Sequence, residues 1–140
     1  MTRGMTGLDT NVLVRFLLQD DPEQGAAATA LMSALTGTAP GFVCREVLVE
    51  LVWVLERGHR LPRAAVARAL DGLLESQDLV VEASDRVALA TDRYRKGGAG
   101  FADQMIALAG LVAGCSDTAT FDRKAALLPG MSLVAGASDH

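Results

Sequence analysis

The stretch GLDTNVLVRFLLQDDPE, residues 7–23, sets the course of the chain. Met5 to Leu8 read as a brief strand, and Asn11 to Leu18 as a helix, with Thr10 or Asn11 offering the side-chain oxygen that caps its first turn. A strand, an acid and a helix in so few residues open a β/α unit. Asp9 stands between Leu8 and the apolar Val12-Leu13-Val14. A carboxylate among apolar neighbours costs free energy unless it is paired, hydrogen-bonded or bound to a metal ion. Asp9 therefore needs a partner.

The same alternation continues outward. Pro22 suits a first turn, so Glu23 to Leu35 read as a second helix. Thr36 to Gly41 are turn residues, Phe42 to Cys44 a strand, and Arg45 to Arg57 a helix ended by Gly58. Pro62 starts a helix through Leu74, Leu79 to Glu82 form a strand, and Ser84 caps a helix to about Lys96. Gly97-Gly-Ala-Gly100 lacks the ending of a phosphate-binding loop and reads as a flexible connector. It precedes a helix from Phe101 to Val112, a strand toward Thr120, a turn at Leu127 to Gly130 and a last strand from Met131 to Val134. Such a sequence favours a mainly parallel sheet covered by helices on both sides. Residues 1–4 read as an extension outside the fold, and residues 5–140 as one domain.

Composition narrows the chemistry. The chain has 140 residues, half of them apolar, which suits one domain with a real core. A net charge of −4 argues against nucleic-acid binding by bulk positive charge and makes a metal ion the natural counter-charge. Cys44 and Cys115 have no CxxC spacing and read as buried thiols; His59 and His140 stand too far apart for His-based triads or zinc chemistry. Carboxylates must carry any catalysis. No secretory leader is legible, and no run approaches the ~18 apolar residues that span a bilayer, so a cytoplasmic location without membrane attachment is expected.

Four acids look out of place. In VLVELVWVL, residues 47–55, Glu50 is the one charged side chain, on a helix apolar enough to be largely buried. A structural pairing with arginine is the alternative. Glu46, on the same helical face, lies in the first turn, where an acid suits the helix dipole; it is held in reserve. Asp103 opens an otherwise apolar helix, and Asp122 follows a strand, with dipole and turn roles as their respective alternatives. In an open α/β sheet, loops and helix starts beyond the carboxyl strand ends meet at one crevice. Four carboxylates converging there would repel one another unless cations lay between them, and hard oxygens without His or Cys select Mg²⁺ or Mn²⁺.

With these residues in place, LDTNVLVRFLLQDDPEQ, REVLVELVWVL, GFADQMIALAG and TFDRKAALLPG resemble, in order, the four acidic motifs of PIN-domain nucleases. The likeness runs from residue 5 to about 134 and is most similar to the VapC toxins of bacterial toxin–antitoxin pairs. The resemblance implies a PIN-like three-layer α/β sandwich. It also implies that Asp9, Glu50, Asp103 and Asp122 are the catalytic, metal-binding acids, supported by Thr10, Asn11 and Thr120. The implied activity is a Mg²⁺- or Mn²⁺-dependent endoribonuclease, often a homodimer, inhibited by a VapB-type antitoxin. Metal-assisted phosphodiester hydrolysis follows from such a site, with water activated at a bound cation.

RNA needs positive charge, which Arg93, Arg95 and Lys96 before the Asp103 helix, and Arg123 and Lys124 after Asp122, offer; solvated helix ends are the alternative. Competing readings are a housekeeping RNA-processing nuclease, a catalytically silent RNA-binding module, and a phospho-acceptor signalling domain. The last needs an acceptor Asp at the end of its third strand, where this chain has VVEAS. A phosphatase nucleophile of the DxD type is disfavoured by Asp9-Thr-Asn11.

Overall fold

The computed structural model describes residues 4–134; residues 1–3 of the expected extension, and 135–140 with His140, lie outside the described residues. The chain is a mixed α/β structure whose paired strands run parallel, as the alternation predicts. It divides into two compact units, one ending at Ser84 and the other beginning at Asp85.

In the first unit, β1 (Thr6–Gly7), β2 (Gly41–Val43) and β3 (Leu79–Val81) form a sheet in that order. The register places Gly41 opposite both Thr6 and Leu79. A Cβ on Gly41 would lie 2.8 Å from Leu8 and Leu35 side-chain atoms and 2.9 Å from Leu79, so the central strand admits only glycine there without repacking. Helices α1 (Thr10–Leu18) and α2 (Pro22–Ala34) follow β1, and Asp21 starts α2 by accepting a hydrogen bond from the Gln24 N–H at 2.9 Å. Helix α3 (Arg45–Trp53) follows β2, and α4 (Arg63–Glu75) precedes β3. Leu13, Val43, Leu48, Leu51, Leu55, Val66 and Leu70 are fully buried. Each contributes about 1.5–3 kcal/mol of hydrophobic stabilisation.

The helix expected to reach Arg57 instead ends at Trp53 and continues as a π turn, Val54–Gly58, closed by the His59 N–H on the Val54 carbonyl at 3.2 Å. The wider turn keeps Leu55 in the core beyond Leu51 and places the extra residue on the exposed Arg57–Gly58 side.

In the second unit, α5 (Ser84–Arg95) and α6 (Phe101–Ala113) are followed by β4 (Thr118–Thr120), a 3₁₀ turn (Ala125–Leu127) and β5 (Met131–Leu133), with β4 and β5 paired. Tyr94 and Phe101, both buried, meet edge to face with ring centroids 6.1 Å apart and fix the α5–α6 connection. Gly97 and Gly98 take left-handed φ values of 101° and 83°, and the next residue, Ala99, is buried. The glycine-rich connector is therefore anchored at Ala99. Gly110 lets α6 lie against β4: a Cβ there would fall 2.2 Å from the Thr118 hydroxyl.

The expectation of two buried thiols is corrected: Cys44 is half-buried and Cys115 exposed. Cys44 sits between β2 and α3 without a side-chain cap hydrogen bond, and Cys115 lies in the short link after the left-handed Gly114 rather than within a helix or strand. Among the described residues, no helix is long and apolar enough to cross a membrane.

Candidate active site

The chain leaves β1 with Leu8 turned into the core and its N–H bonded to the Phe42 carbonyl at 2.9 Å, so Asp9 faces outward. This corrects the picture of a carboxylate enclosed by apolar neighbours: strand alternation separates Asp9 from Leu8. Asp9 is extended, the next residue is helical, and its Oδ1 accepts the Thr10 N–H at 2.7 Å. The cap of α1 is therefore Asp9 rather than Thr10 or Asn11. Asn11 is exposed in the first turn.

Thr10 is buried, and its hydroxyl donates to Glu50 Oε1 across the α1–α3 contact. Glu50 is exposed, which corrects the enclosure expected from its apolar neighbours. Successive helical side chains point about 100° apart. Leu48, Leu51 and Val52 turn inward, while Glu46, Glu50 and Trp53 remain on the solvent side. The partner of Glu50 is Thr10; among the described residues Glu50 enters no ion pair with arginine. One threonine thus touches both first-unit acids, and each acid keeps its second oxygen clear of that contact.

The start of α3 depends on a residue that sequence reading passed over. Cys44 provides no side-chain cap, and Glu82, just past β3, accepts the Arg45 N–H at 2.9 Å while facing its Nε at 3.3 Å. Removing that acceptor in Glu82→Ala is expected to destabilise the protein by about 1 kcal/mol, as losing a helix cap does. Glu82→Gln, which keeps a side-chain carbonyl, should lose less. Urea unfolding midpoints check the order of the two.

In the second unit, Asp103 lies in the first turn of α6, half-buried, its Oδ2 3.8 Å from where a Gly100 Cβ would stand. It makes no side-chain hydrogen bond or ion pair among the described residues. Asp122 is exposed and forms the turn after β4: its N–H donates to Thr120 Oγ1 at 3.0 Å, and its Oδ1 accepts the Lys124 and Ala125 N–H groups at 2.8 and 3.1 Å. The turn role of Asp122 is thus met, with Thr120 supporting it. Lys124 and Arg123 are exposed beside it, and Lys96 pairs with Asp92 at 3.0 Å. Arg95 is exposed, whereas Arg93 Nη1 is buried without a hydrogen-bond partner and so is not directed at solvent.

Among the described residues, no three His, Cys, Asp or Glu side chains form a group that could hold a metal ion. The donors present nevertheless suit a hard cation: Asp9 and Glu50 in one unit, Asp103 and Asp122 in the other, all carboxylate oxygens without nitrogen or sulfur. Mg²⁺ is commonly held by one or two carboxylates and completes its shell with water and substrate phosphate.

Fold and acids together define an α/β protein with hard-oxygen donors directly after β1, within α3, in the first turn of α6 and in the turn after β4. Residues 8–130 match the PIN domain, a span containing all four acids, and the chain belongs to the PIN-domain family. PIN domains are in general nucleases, hydrolases that act on nucleic acids and typically use divalent metal ions. No curated protein matches the chain.

Proposed function

We propose that this PIN domain is a Mg²⁺- or Mn²⁺-dependent endoribonuclease and the toxin of a VapBC-type pair, active as a homodimer and inhibited by its antitoxin. The observation that carries the nuclease reading is Thr10, buried and bonded at once to Asp9 and Glu50. That contact orients two carboxylates while leaving an oxygen of each available, the arrangement a metal ligand needs from its supporting residues. Asp103 and Asp122 are assigned to the same chemistry, Thr120 orients Asp122, and Asn11 is a further supporting group. A divalent cation bound at Asp9 and Glu50 would supply activation of water near neutral pH and charge stabilisation of the phosphodiester.

The toxin reading has its own support in the first unit. A shallow recess of about 310 Å³ on α1 and α2 is lined by Val12, Ala27, Ala28 and Leu31, with Asn11, Arg15 and Gln24 at its polar positions. An amphipathic antitoxin helix fits such a surface, and an antitoxin arginine would compete with the cation for the carboxylates. The test is RNA cleavage with Mg²⁺, Mn²⁺ or EDTA, with and without any small protein found to be encoded beside this one. Internal cleavage that needs metal and is suppressed by that neighbour is expected. Intact RNA with either metal refutes the nuclease, and cleavage that no neighbour suppresses favours a housekeeping RNA-processing enzyme.

A further inference from the structure

Trp53 is the chain's single tryptophan, and it is 61% exposed. An indole left in water forgoes the burial that normally fixes so large a ring in a core. Its position is specific. Glu46, Glu50, Trp53 and Arg57 recur at helical spacing along one side of α3 and its π turn, so the ring stands one turn beyond Glu50. Past it, the chain places Arg57, His59 and Arg60 within four residues, all exposed, and among the described residues none of the three enters an ion pair. In contrast, Arg15, Arg45 and Lys96 each pair with an acid. Arg68 and Lys124 are likewise exposed without an ion pair among the described residues, so what distinguishes Arg57 and Arg60 is their position directly after the exposed indole.

The backbone here is also unusual. The π turn spans Val54–Gly58, and Arg60 holds a φ of 55°, a left-handed conformation that a side chain with a Cβ rarely adopts. Both features are uncommon, and both cluster at functional sites. Their effect is to present Arg57 and Arg60 beside the helix end that carries Trp53.

An exposed aromatic ring flanked by free guanidinium groups is how proteins hold an unpaired nucleic-acid strand: bases stack on the ring while phosphates meet the cations. A protein partner would be expected to meet a broad apolar patch, whereas the exposed residues that follow Trp53 along the chain, Arg57, His59 and Arg60, are polar. We propose that Trp53, Arg57 and Arg60 form a subsite for single-stranded RNA, in which a base stacks on Trp53 and neighbouring phosphates lie against the two arginines. The subsite extends the endoribonuclease reading and rests on it. A base within a duplex has no free face to offer, so the subsite selects unpaired RNA.

Because Trp53 is the only tryptophan, its emission reports the stacking directly. The wild-type protein in EDTA, where the strand should survive, is titrated with a ten-residue oligouridylate and with an RNA duplex of equal length. Saturable quenching by the single strand and little change with the duplex are expected. Anisotropy of labelled oligouridylate should show about tenfold weaker binding for Trp53→Ala, at the lower end of what one stacked base contributes, and near-wild-type binding for Trp53→Phe. Arg57→Ala with Arg60→Ala should lower the slope of log affinity against log salt by about 0.7 for each phosphate no longer neutralised, an effect that a purely structural role would not produce.

Unchanged Trp53 emission on addition of RNA that the protein demonstrably binds overturns the subsite and leaves the nuclease standing. If the wild type neither binds nor cleaves RNA, the nuclease reading fails first and the subsite with it. A concentration-dependent blue shift without RNA, with dimers lost in Trp53→Phe, would assign the ring to an interface between copies and overturn the subsite. Should Trp53→Ala fail to fold, the wild-type quenching and the Trp53→Phe and arginine variants decide alone.

Discussion

Glu50→Gln is expected to lower RNA cleavage by at least about 100-fold, the upper end of what losing even a residue behind a metal ligand costs, while Glu46→Gln stays close to wild type. Both glutamates are exposed on one side of α3, one turn apart, so general exposure and helix charge cannot separate them. The interaction that does is the Thr10 hydroxyl on Glu50 Oε1. Glutamine keeps the volume of Glu50 and an oxygen to accept that hydrogen bond, so the variant removes charge while preserving the packing of α1 on α3. Initial rates on end-labelled RNA give the ranking. The opposite order would put the working acid one turn earlier and make the Thr10 hydrogen bond structural.

Thr10→Val in the same assay separates orientation from ligation. It retains the buried shape of Thr10 and removes only the hydroxyl, so a loss of about 10- to 100-fold is the magnitude expected of an orienting partner. In the Glu50→Gln background the same change should add little, because the group being oriented no longer acts.

The order of elements was legible because several boundaries have a local cause: Pro22 in the first turn of α2 and the turn residues Thr36 to Gly41 leading into β2. The candidate acids were legible for the same local reason, as charges inside apolar runs, although the inference of burial drawn from it was wrong for Asp9 and Glu50. Adjacency along a strand or helix is not adjacency in space, and both carboxylates turn away from the apolar residues that flank them. The interactions that position them were not legible. Thr10 and Glu50 are 40 residues apart, and Arg45 and Glu82 are 37 apart. Such pairings leave no periodic trace in one sequence. The π turn was hidden too, since VWVLERG carries the apolar spacing of an ordinary helix and the turn shows itself in the bond from the His59 N–H to the Val54 carbonyl.

Asp9→Asn is expected to weaken Mn²⁺ binding, measured by calorimetry, by about 100-fold or more, beyond the 10- to 100-fold cost of losing a supporting residue. Asparagine caps helices as well as aspartate does and can still accept the Thr10 N–H, so the unfolding midpoint should hold while the ligand charge is lost. Equal Mn²⁺ affinity in the two proteins would remove Asp9 from the metal and leave it a cap. Asp103→Asn bears on an acid with no protein partner among the described residues, and a large loss of affinity there would identify it as a ligand rather than a group suited to the α6 dipole. Asp122 is a different case, because its Oδ1 is already taken by two backbone N–H groups. An asparagine would hold that turn with its own carbonyl oxygen, so Asp122→Asn should have the smallest effect on Mn²⁺ affinity of the three, and a loss as large as that of Asp9→Asn would mean that its other oxygen binds the cation directly.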